Sequence, residues 1–129
     1  MRNTIFWVEI PVTNFERAKK FYETIFDMQM YPVPMPRGTY AIFPLDTDAN
    51  GAGGAIVAGP GYEPSGDTKK GPVIYLDRGK DLSIPLSKVE GAGGKILLQK
   101  TKNGANGEFG FIAHFIDSEG NRIGLHSNN

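Results

Sequence analysis

The same arrangement of elements occurs twice in this sequence, about 66 residues apart. Each copy has a short apolar stretch, a polar turn, a stretch with apolar residues at three-to-four spacing, and an exit marked by glycine. That spacing is typical of a helix that buries one face, and the short apolar stretch before it is typical of a strand. Two copies of one such unit restrict the chain to a duplicated α+β architecture.

The first copy predicts a strand over residues 6–12 and a helix that begins after Asn14. An asparagine side chain accepts hydrogen bonds from the free N–H groups of a helix start, and the negative charge of Glu16 suits the helix dipole. Weaker strand patterns follow at residues 39–44 and 55–58. The predicted buried face of the helix consists of Phe15, Ala18, Tyr22, Ile25 and Phe26.

The second copy predicts a strand over residues 73–77 and a helix from about residue 81. Pro85 must lie in the first turn of this helix, because proline lacks the backbone N–H that every residue beyond the first turn donates within the helix. The predicted buried stripe is Leu82, Leu86 and Val89. Glycines at 91–94 end the helix, and strand patterns follow at residues 95–99, 109–116 and 122–126. Each half therefore predicts one strand, one helix and about three strands.

Glycine and proline concentrate at residues 46–54 and 58–71, which predicts loops there. With 129 residues, of which 40% are hydrophobic, the chain is long enough to bury one core. We therefore expect a single domain over 1–129. It would consist of module one at 1–60, a linker at 61–71 and module two at 72–129.

Composition excludes several functions. The sequence has no cysteine, which rules out disulfides, thiolate metal sites and cysteine nucleophiles. Its 14 basic residues balance its 14 acidic residues and neither sign forms a long block, so charge gives no reason to expect nucleic-acid binding. No export signal and no apolar stretch of membrane-spanning length is recognisable. We therefore expect a cytoplasmic protein with neither nucleic-acid nor membrane partners.

Three stretches resemble the vicinal oxygen chelate superfamily. They read TNFERAKKFY from residue 13, VEGAGGK from residue 89 and FIDSEGNRIGLH from residue 115. The superfamily includes glyoxalase I, extradiol dioxygenases, fosfomycin-resistance enzymes and bleomycin-binding proteins. The resemblance implies an α+β fold of two βαβββ modules that form a curved mixed sheet around a cavity, often completed in a homodimer.

The resemblance also implies where a metal would lie. In the superfamily, His and Glu or Gln side chains of both modules hold a divalent ion, which binds two neighbouring substrate oxygens. The matching positions here are Trp7, Val73 (or Pro72) and Gly124. None of these side chains can coordinate a metal, so we expect no metal cofactor.

Alternation along the strands indicates which residues would line the cavity instead. Every second residue of the first and last strands is apolar and suited to packing under the helices, so the residues between them would face the cavity. The family pattern adds one inward residue in each of two further strands. The cavity residues predicted in this way are Trp7, Glu9, Tyr75, His114, Arg122 and His126.

Each of these residues has a structural as well as a functional interpretation. Trp7 could fill the cavity wall. A carboxylate is costly to bury unpaired, so Glu9 either pairs with Arg122 or His126 or anchors a ligand. His126 lies close to the C-terminus, where an idle imidazole is common. His114 fits a neutral, hydrogen-bonded side chain at least as well as an acid–base group.

The sequence leaves two function classes open. The first is a metal-independent protein that binds a small organic molecule in an aromatic cavity. The second is a lyase or isomerase of the glyoxalase type, with Glu9 as proton acceptor and His114 or His126 as donor. Residues 117–121 predict a hairpin turn and no role in the site. We expect a homodimer, because an open curved sheet leaves edges that a second copy can cover.

Overall fold

A computed structural model describes residues 4–45 and 51–129 and contains the expected duplication. Module one contains β1 (Trp7–Pro11), α1 (Phe15–Phe26), β2 (Tyr31–Met35), β3 (Gly38–Ile42) and β4 (Gly53–Ala58). Module two contains β5 (Ile74–Leu76), α2 (Ser83–Lys88), β6 (Lys95–Lys102), β7 (Phe111–Ile116) and β8 (Arg122–Ser127).

The strands form two four-stranded sheets of the same design, in the orders β1-β4-β3-β2 and β5-β8-β7-β6. In each sheet the first and last strands of the module pair in parallel, and the other neighbours pair antiparallel. This repeated topology confirms the α+β fold of two βαβββ modules. The two modules do not merge into one continuous sheet in the described part of the chain.

Helix α1 begins at the predicted position after Asn14, but it ends at Asp27 and not at a glycine, so the exit predicted for both copies is present only in the second. The Asn14 side chain accepts a hydrogen bond from the backbone N–H of Arg17 at 3.0 Å, and Asp27 has a left-handed backbone. Its buried residues are Ala18, Phe21, Tyr22, Ile25 and Phe26, so Phe21 takes a place predicted for Phe15. No helix in residues 4–45 and 51–129 has the length and apolar character needed to cross a membrane.

One hydrophobic core lies between the helices and one face of each sheet, and both modules contribute to it. The stripe predicted for α2 is buried, since Leu82, Leu86 and Val89 are at most 5% exposed. The other main core residues are Ile10, Val12, Phe21, Tyr22, Ile25, Ile56, Phe115, Ile123 and Leu125. The alternation predicted for the first and last strands is therefore observed.

The opposite face of the first sheet carries a smaller apolar cluster. Its buried members are Tyr40, Ala55 and Val57, and the partly buried Trp7, Val33, Ile42 and Tyr62 pack against them. Successive strand residues point to opposite faces, so the residues of β1 that avoid the main core reach this second cluster. It is the face predicted to line a cavity.

Two features of module one were not predicted. Strand β2 contains Pro32 and Pro34, which cannot donate ladder hydrogen bonds, and such a strand is tolerated only at the edge of a sheet, where β2 lies. The predicted loop over residues 46–54 falls partly outside the described residues, at 46–50, while Gly53 and Gly54 belong to β4. Gly54 is needed for close strand approach, because a Cβ there would lie 2.7 Å from the Val8 carbonyl oxygen.

Module two departs from the predicted strand limits at several places, among them β5, which covers Ile74–Leu76 where residues 73–77 were predicted. Strand β6 continues to Lys102, and β7 begins at Phe111 because Gly110 adopts a positive φ of 79° just before it. Residues 63–71 of the predicted linker form neither helix nor strand.

Residues 117–121 form the predicted hairpin turn. The Asp117 carboxylate accepts hydrogen bonds from the backbone N–H groups of Glu119 and Asn121 at 2.8 and 2.9 Å. Gly120 has a φ of 91°, a conformation that glycine adopts without strain. The turn sequence is thus explained by local backbone geometry.

The 117–121 turn also connects module two to module one, which the sequence did not predict. The buried Tyr22 hydroxyl donates to Asp117 at 2.6 Å. The Asn121 side chain donates to the Pro11 carbonyl oxygen at 2.8 Å. These bonds join the β7–β8 turn to α1 and β1 across a sequence separation of about a hundred residues.

Glu119 adds a more exposed connection to the start of α1. Its carboxylate accepts from the backbone N–H groups of Thr13 and Asn14 at 3.0 and 2.7 Å. It also pairs with the Arg17 guanidinium at 2.7 Å. The pKa of Glu119 is lowered, since hydrogen bonds and the Arg17 charge outweigh the effect of burial, the largest contribution, which acts to raise it.

Tyr22→Phe should destabilise the fold by about 1.5–3 kcal/mol, because it removes a buried hydrogen bond to a carboxylate while conserving the ring. Urea denaturation followed by circular dichroism measures the change. Tyr31→Phe is the matched control, since Tyr31 is 62% exposed, and its effect should stay within about 0.5 kcal/mol. Equal stabilities for the two variants would contradict the importance of the Tyr22–Asp117 bond.

Candidate functional site

A cleft of about 270 Å³ lies between the two modules. Its walls come from β1, from linker residues 63–71 and from the beginnings of β5 and β8. Of the six predicted cavity residues, Glu9 and Arg122 line the cleft, from opposite modules, whereas Trp7, Tyr75, His114 and His126 are not among its lining residues. The linker forms one wall, a role that its glycine- and proline-rich sequence did not indicate.

Glu9 lies in a network of aromatic donors. The Tyr62 hydroxyl donates to its Oε1 at 2.8 Å and the Trp7 indole N–H donates to its Oε2 at 3.3 Å. Desolvation acts to raise the pKa of Glu9, but hydrogen bonds from Tyr62, Tyr40 and Trp7 and the charge of Arg37 bring that pKa below its ordinary value. The carboxylate is therefore held in its ionised form.

Glu9 makes no ion pair with Arg122 or His126 among the described residues. The structural alternative proposed for Glu9 therefore does not hold, and Tyr62 takes the place of both partners. Tyr62 lies in the linker, where no periodicity indicates the direction of a side chain. The residue could not have been assigned to the site from the sequence pattern.

His114 connects Tyr75 to Arg122. Its Nε2 is 2.7 Å from the Tyr75 hydroxyl and its Nδ1 is 2.8 Å from Nη2 of Arg122. A guanidinium can only donate, so Nδ1 must accept, and the proton of the neutral ring lies on Nε2 and points to Tyr75. Burial and the Arg122 charge lower the pKa of His114, in agreement with a neutral ring. The Tyr75 hydroxyl proton remains free for another acceptor.

Each module places an aromatic ring over a glycine of the neighbouring parallel strand. Trp7 is in register with Gly53, and Tyr75 is in register with Gly124. A Cβ on Gly124 would collide with the Tyr75 ring, and one on Gly53 would lie 2.9 Å from the Trp7 ring. The glycines are therefore required by the rings that cover them.

The positions that match metal ligands in the superfamily do not fit a divalent ion here. Trp7 and Val73 offer no metal-binding atom, and the space over Gly124 is occupied by the Tyr75 ring. Within residues 4–45 and 51–129, no three His, Asp or Glu side chains are grouped so that they could hold a metal. The absence of a metal cofactor stays a prediction, which experiment must test.

His126 belongs to a different group of residues. Its Nδ1 is 2.7 Å from Oδ2 of Asp77, and its Nε2 is 2.9 Å from the Phe109 carbonyl oxygen. Both partners accept, so both ring nitrogens must carry protons and the ring is an imidazolium. The hydrogen bond to Asp77, followed by that to Phe109, raises the pKa of His126. The structure therefore does not bring His126 to Glu9 or His114.

The family model of the glyoxalase/bleomycin resistance protein/dioxygenase superfamily matches residues 4–125. The chain therefore belongs to this superfamily, which confirms the resemblance recognised in its sequence. No protein of curated function matches the sequence.

Solved structures share the fold. Glyoxalase I from Zea mays, as its E144Q mutant, superposes with a TM-score of 0.69 at 24% identity, covering 95% of this chain and 46% of the maize chain. A glyoxalase/bleomycin resistance protein from Streptomyces sp. CB03234 has a TM-score of 0.66 at 21% identity, covering 96% and 100% of the two chains.

TnmS3, an antibiotic-binding protein from the same Streptomyces strain, has a TM-score of 0.62 at 19% identity and covers 98% of this chain and 97% of its own. The present chain spans about half the length of the maize enzyme and nearly the full length of the two Streptomyces proteins. At these identities the comparison concerns the fold.

Gly124→Ala should cost about 1–3 kcal/mol of stability through overpacking against the Tyr75 ring. The same substitution in a Tyr75→Ala background should cost less than about 0.5 kcal/mol, because the obstacle is gone. Urea denaturation of the four proteins completes this cycle. Gly91→Ala is the control, since its φ is ordinary and a Cβ there would meet the Lys88 carbonyl oxygen only at 4.0 Å. Additive costs for Gly124→Ala and Tyr75→Ala would contradict the ring placement.

The two histidines should titrate on opposite sides of their ordinary pKa of 6.5, His126 above it and His114 below it. Because the folded pKa of His126 is raised, its contribution to stability is complete below pH 6.5 and is lost as the pH rises through the folded pKa. NMR titration of the ring Cε1–H signals measures both values. Asp77→Asn should move only the His126 pKa, towards 6.5; a His114 pKa above that of His126 would refute the assignment.

Proposed function

We propose that this chain binds a small organic molecule in the cleft between its modules, without a resident metal. The observation that carries the metal-free part of the proposal is the Tyr75 ring over Gly124, where the superfamily pattern expects a metal-ligating carboxylate. An aromatic side chain supplies contact area and a hydroxyl in place of an ion-binding oxygen. Binding in this protein therefore depends on side-chain contacts and hydrogen bonds.

The composition of the cleft supports this proposal. Its volume of about 270 Å³ is close to the lower end of the roughly 300–1,000 Å³ range of small-molecule pockets. Pro11 and Val73 give apolar surface, and Glu9 and Arg122 give polar groups on opposite walls. The antibiotic-binding protein TnmS3, which has a similar fold, is consistent with a binding role for this architecture.

The alternative, a lyase or isomerase of the glyoxalase type, receives less support from the geometry. It requires Glu9 to accept a proton and His114 or His126 to donate one at the same substrate. The lowered pKa of Glu9 makes the carboxylate a weaker base. Both nitrogens of His114 are engaged by Tyr75 and Arg122, and His126 bonds elsewhere. Binding without bond formation is the better interpretation.

A homodimer remains part of the proposal. Large apolar side chains are exposed next to β1 and on edge strand β2, among them Phe6 at 77% and Tyr31 at 62%. Exposed apolar surface beside an unpaired strand edge suits a contact with a second copy. The cytoplasmic location also stays a prediction.

Trp7, the only tryptophan, should report occupancy of the cleft, because its indole N–H is bonded to Glu9. A compound that raises the melting temperature should also change Trp7 emission; at a hundredfold excess over its Kd it stabilises the fold by about 2.7 kcal/mol. The emission change should disappear in Glu9→Ala, which removes the acceptor of the indole N–H, and both signals should persist in the control Glu16→Ala on the exposed side of α1.

The same preparation tests the metal-free part of the proposal. After dialysis against a chelator, the compound-induced shift should be unchanged, and mass spectrometry of the native protein should find no stoichiometric ion after Zn²⁺, Ni²⁺ or Mn²⁺ is added. A stoichiometric ion on which binding depends would refute the metal-independent proposal.

A further inference from the structure

Arg122 lies in the cleft without an acidic partner. Its Nη2 donates to His114, while its Nε is buried and has no hydrogen-bond partner within the described residues. None of the ion pairs found in that part of the chain involves Arg122. A buried donor without an acceptor is unfavourable, and native proteins rarely leave one unless another molecule satisfies it.

The neighbours of Arg122 orient the guanidinium without neutralising it. His114 is 7% exposed and accepts at Nδ1, so it fixes one Nη group as an uncharged partner. Tyr75 holds the other side of the imidazole at 2.7 Å. An aspartate or glutamate in place of His114 would have cancelled the charge, whereas this arrangement conserves it.

The acidic groups of the same cleft are directed elsewhere or lie on its rim. Glu9 is bonded to Tyr62 and Trp7, and Asp67 lies 3.9 Å from the Lys70 ammonium. The remaining charged groups that line the cleft are the exposed Glu63 and Lys69 of the linker. Arg122 is therefore a cation that lines the cleft and has no acidic partner among the described residues.

We propose that Arg122 is the anion-binding residue of this cleft and that the ligand is a small organic carboxylate. This inference rests on the proposed binding function of the cleft. The Nη–H groups that do not donate to His114 match the spacing of two carboxylate oxygens, a pairing that a lysine ammonium cannot reproduce. The apolar body of the ligand would contact Pro11 and Val73 in the adjoining wall.

The test uses benzoate, phenylacetate and 1-naphthoate, each beside its primary amide, which has the same shape and no charge. NMR titration of the full chain gives each Kd and follows the Arg122 Nε–H signal. The acids should bind about tenfold tighter than the amides and shift that signal, since hydrogen bonds to charged groups exceed those to neutral groups by this order.

Substitution identifies the residue responsible. Arg122→Gln should weaken acid binding about tenfold and leave amide binding unchanged, while Arg122→Lys should fall between, because it keeps the charge and loses the two-point geometry. Arg78→Gln removes the same charge from an exposed position outside the cleft and should have no effect. The backbone NMR spectrum of Arg122→Gln verifies that the variant is folded.

The outcomes separate this inference from the function on which it rests. Acids and amides binding equally well in the cleft would overturn the anion-binding role and leave the binding function intact. An acid preference that survives Arg122→Gln would overturn the assignment to Arg122. If none of the six compounds binds and no compound of a wider screen stabilises the protein, both proposals are wrong.

Discussion

The hydrogen bonds made by the 117–121 turn determine how the two modules are placed, and the cleft depends on that placement. The buried bond between Tyr22 and Asp117 fixes the turn against α1 at 2.6 Å. The bond from Asn121 to the Pro11 carbonyl oxygen joins two residues that both line the cleft. Because Pro11 lies two residues after Glu9 and Asn121 precedes Arg122, these bonds set the relation between the two charged walls. A turn predicted to have no role in the site therefore contributes Asn121 to the cleft and fixes the arrangement of its walls, which an apolar core alone would leave less specific.

The duplication explains why the site has its present chemistry. Both modules pair their first and last strands in parallel, and both cover a glycine of the last strand with an aromatic ring from the first. In module two this ring is Tyr75 over Gly124, at a position where the superfamily pattern expects a metal ligand. A glycine is required beneath the ring, so the absence of a side chain at position 124 and the presence of the Tyr75 ring depend on each other. Replacing only Gly124 would introduce a side chain into space that is already filled.

Hydrophobic periodicity predicted the parts of the structure that depend only on which residues share one face of a helix or strand. The buried stripe of α2 and the side of each strand that avoids the core follow from repeats of 3.6 and 2 residues. Alternation predicts the face of the sheet on which a side chain lies, but it does not predict which residues of the neighbouring strand lie beside it. His114 is opposite Gly124 and His126 is opposite Ile112, so two histidines on one face have different neighbours and opposite protonation states. The Tyr62 partner of Glu9 was beyond prediction because the path of the linker depends on tertiary contacts, and β2 was obscured by prolines that only an edge strand tolerates.

The direction of the hydrogen bonds in module two indicates what kind of ligand this site can satisfy. Arg122 donates to His114, and the neutral imidazole in turn donates to the Tyr75 hydroxyl, whose own proton is left over. This series of hydrogen bonds therefore has a donor at each end: the Arg122 guanidinium, which lines the cleft, and the hydroxyl of Tyr75, a residue that is 45% exposed. A divalent ion in the related enzymes attracts the oxygens of a substrate; in the proposed metal-free site, N–H and O–H donors meet the same requirement. A preference for an oxygen-bearing ligand needs no metal ion, since it depends on the polarity of the groups that face the ligand and a cation is only one way to supply it.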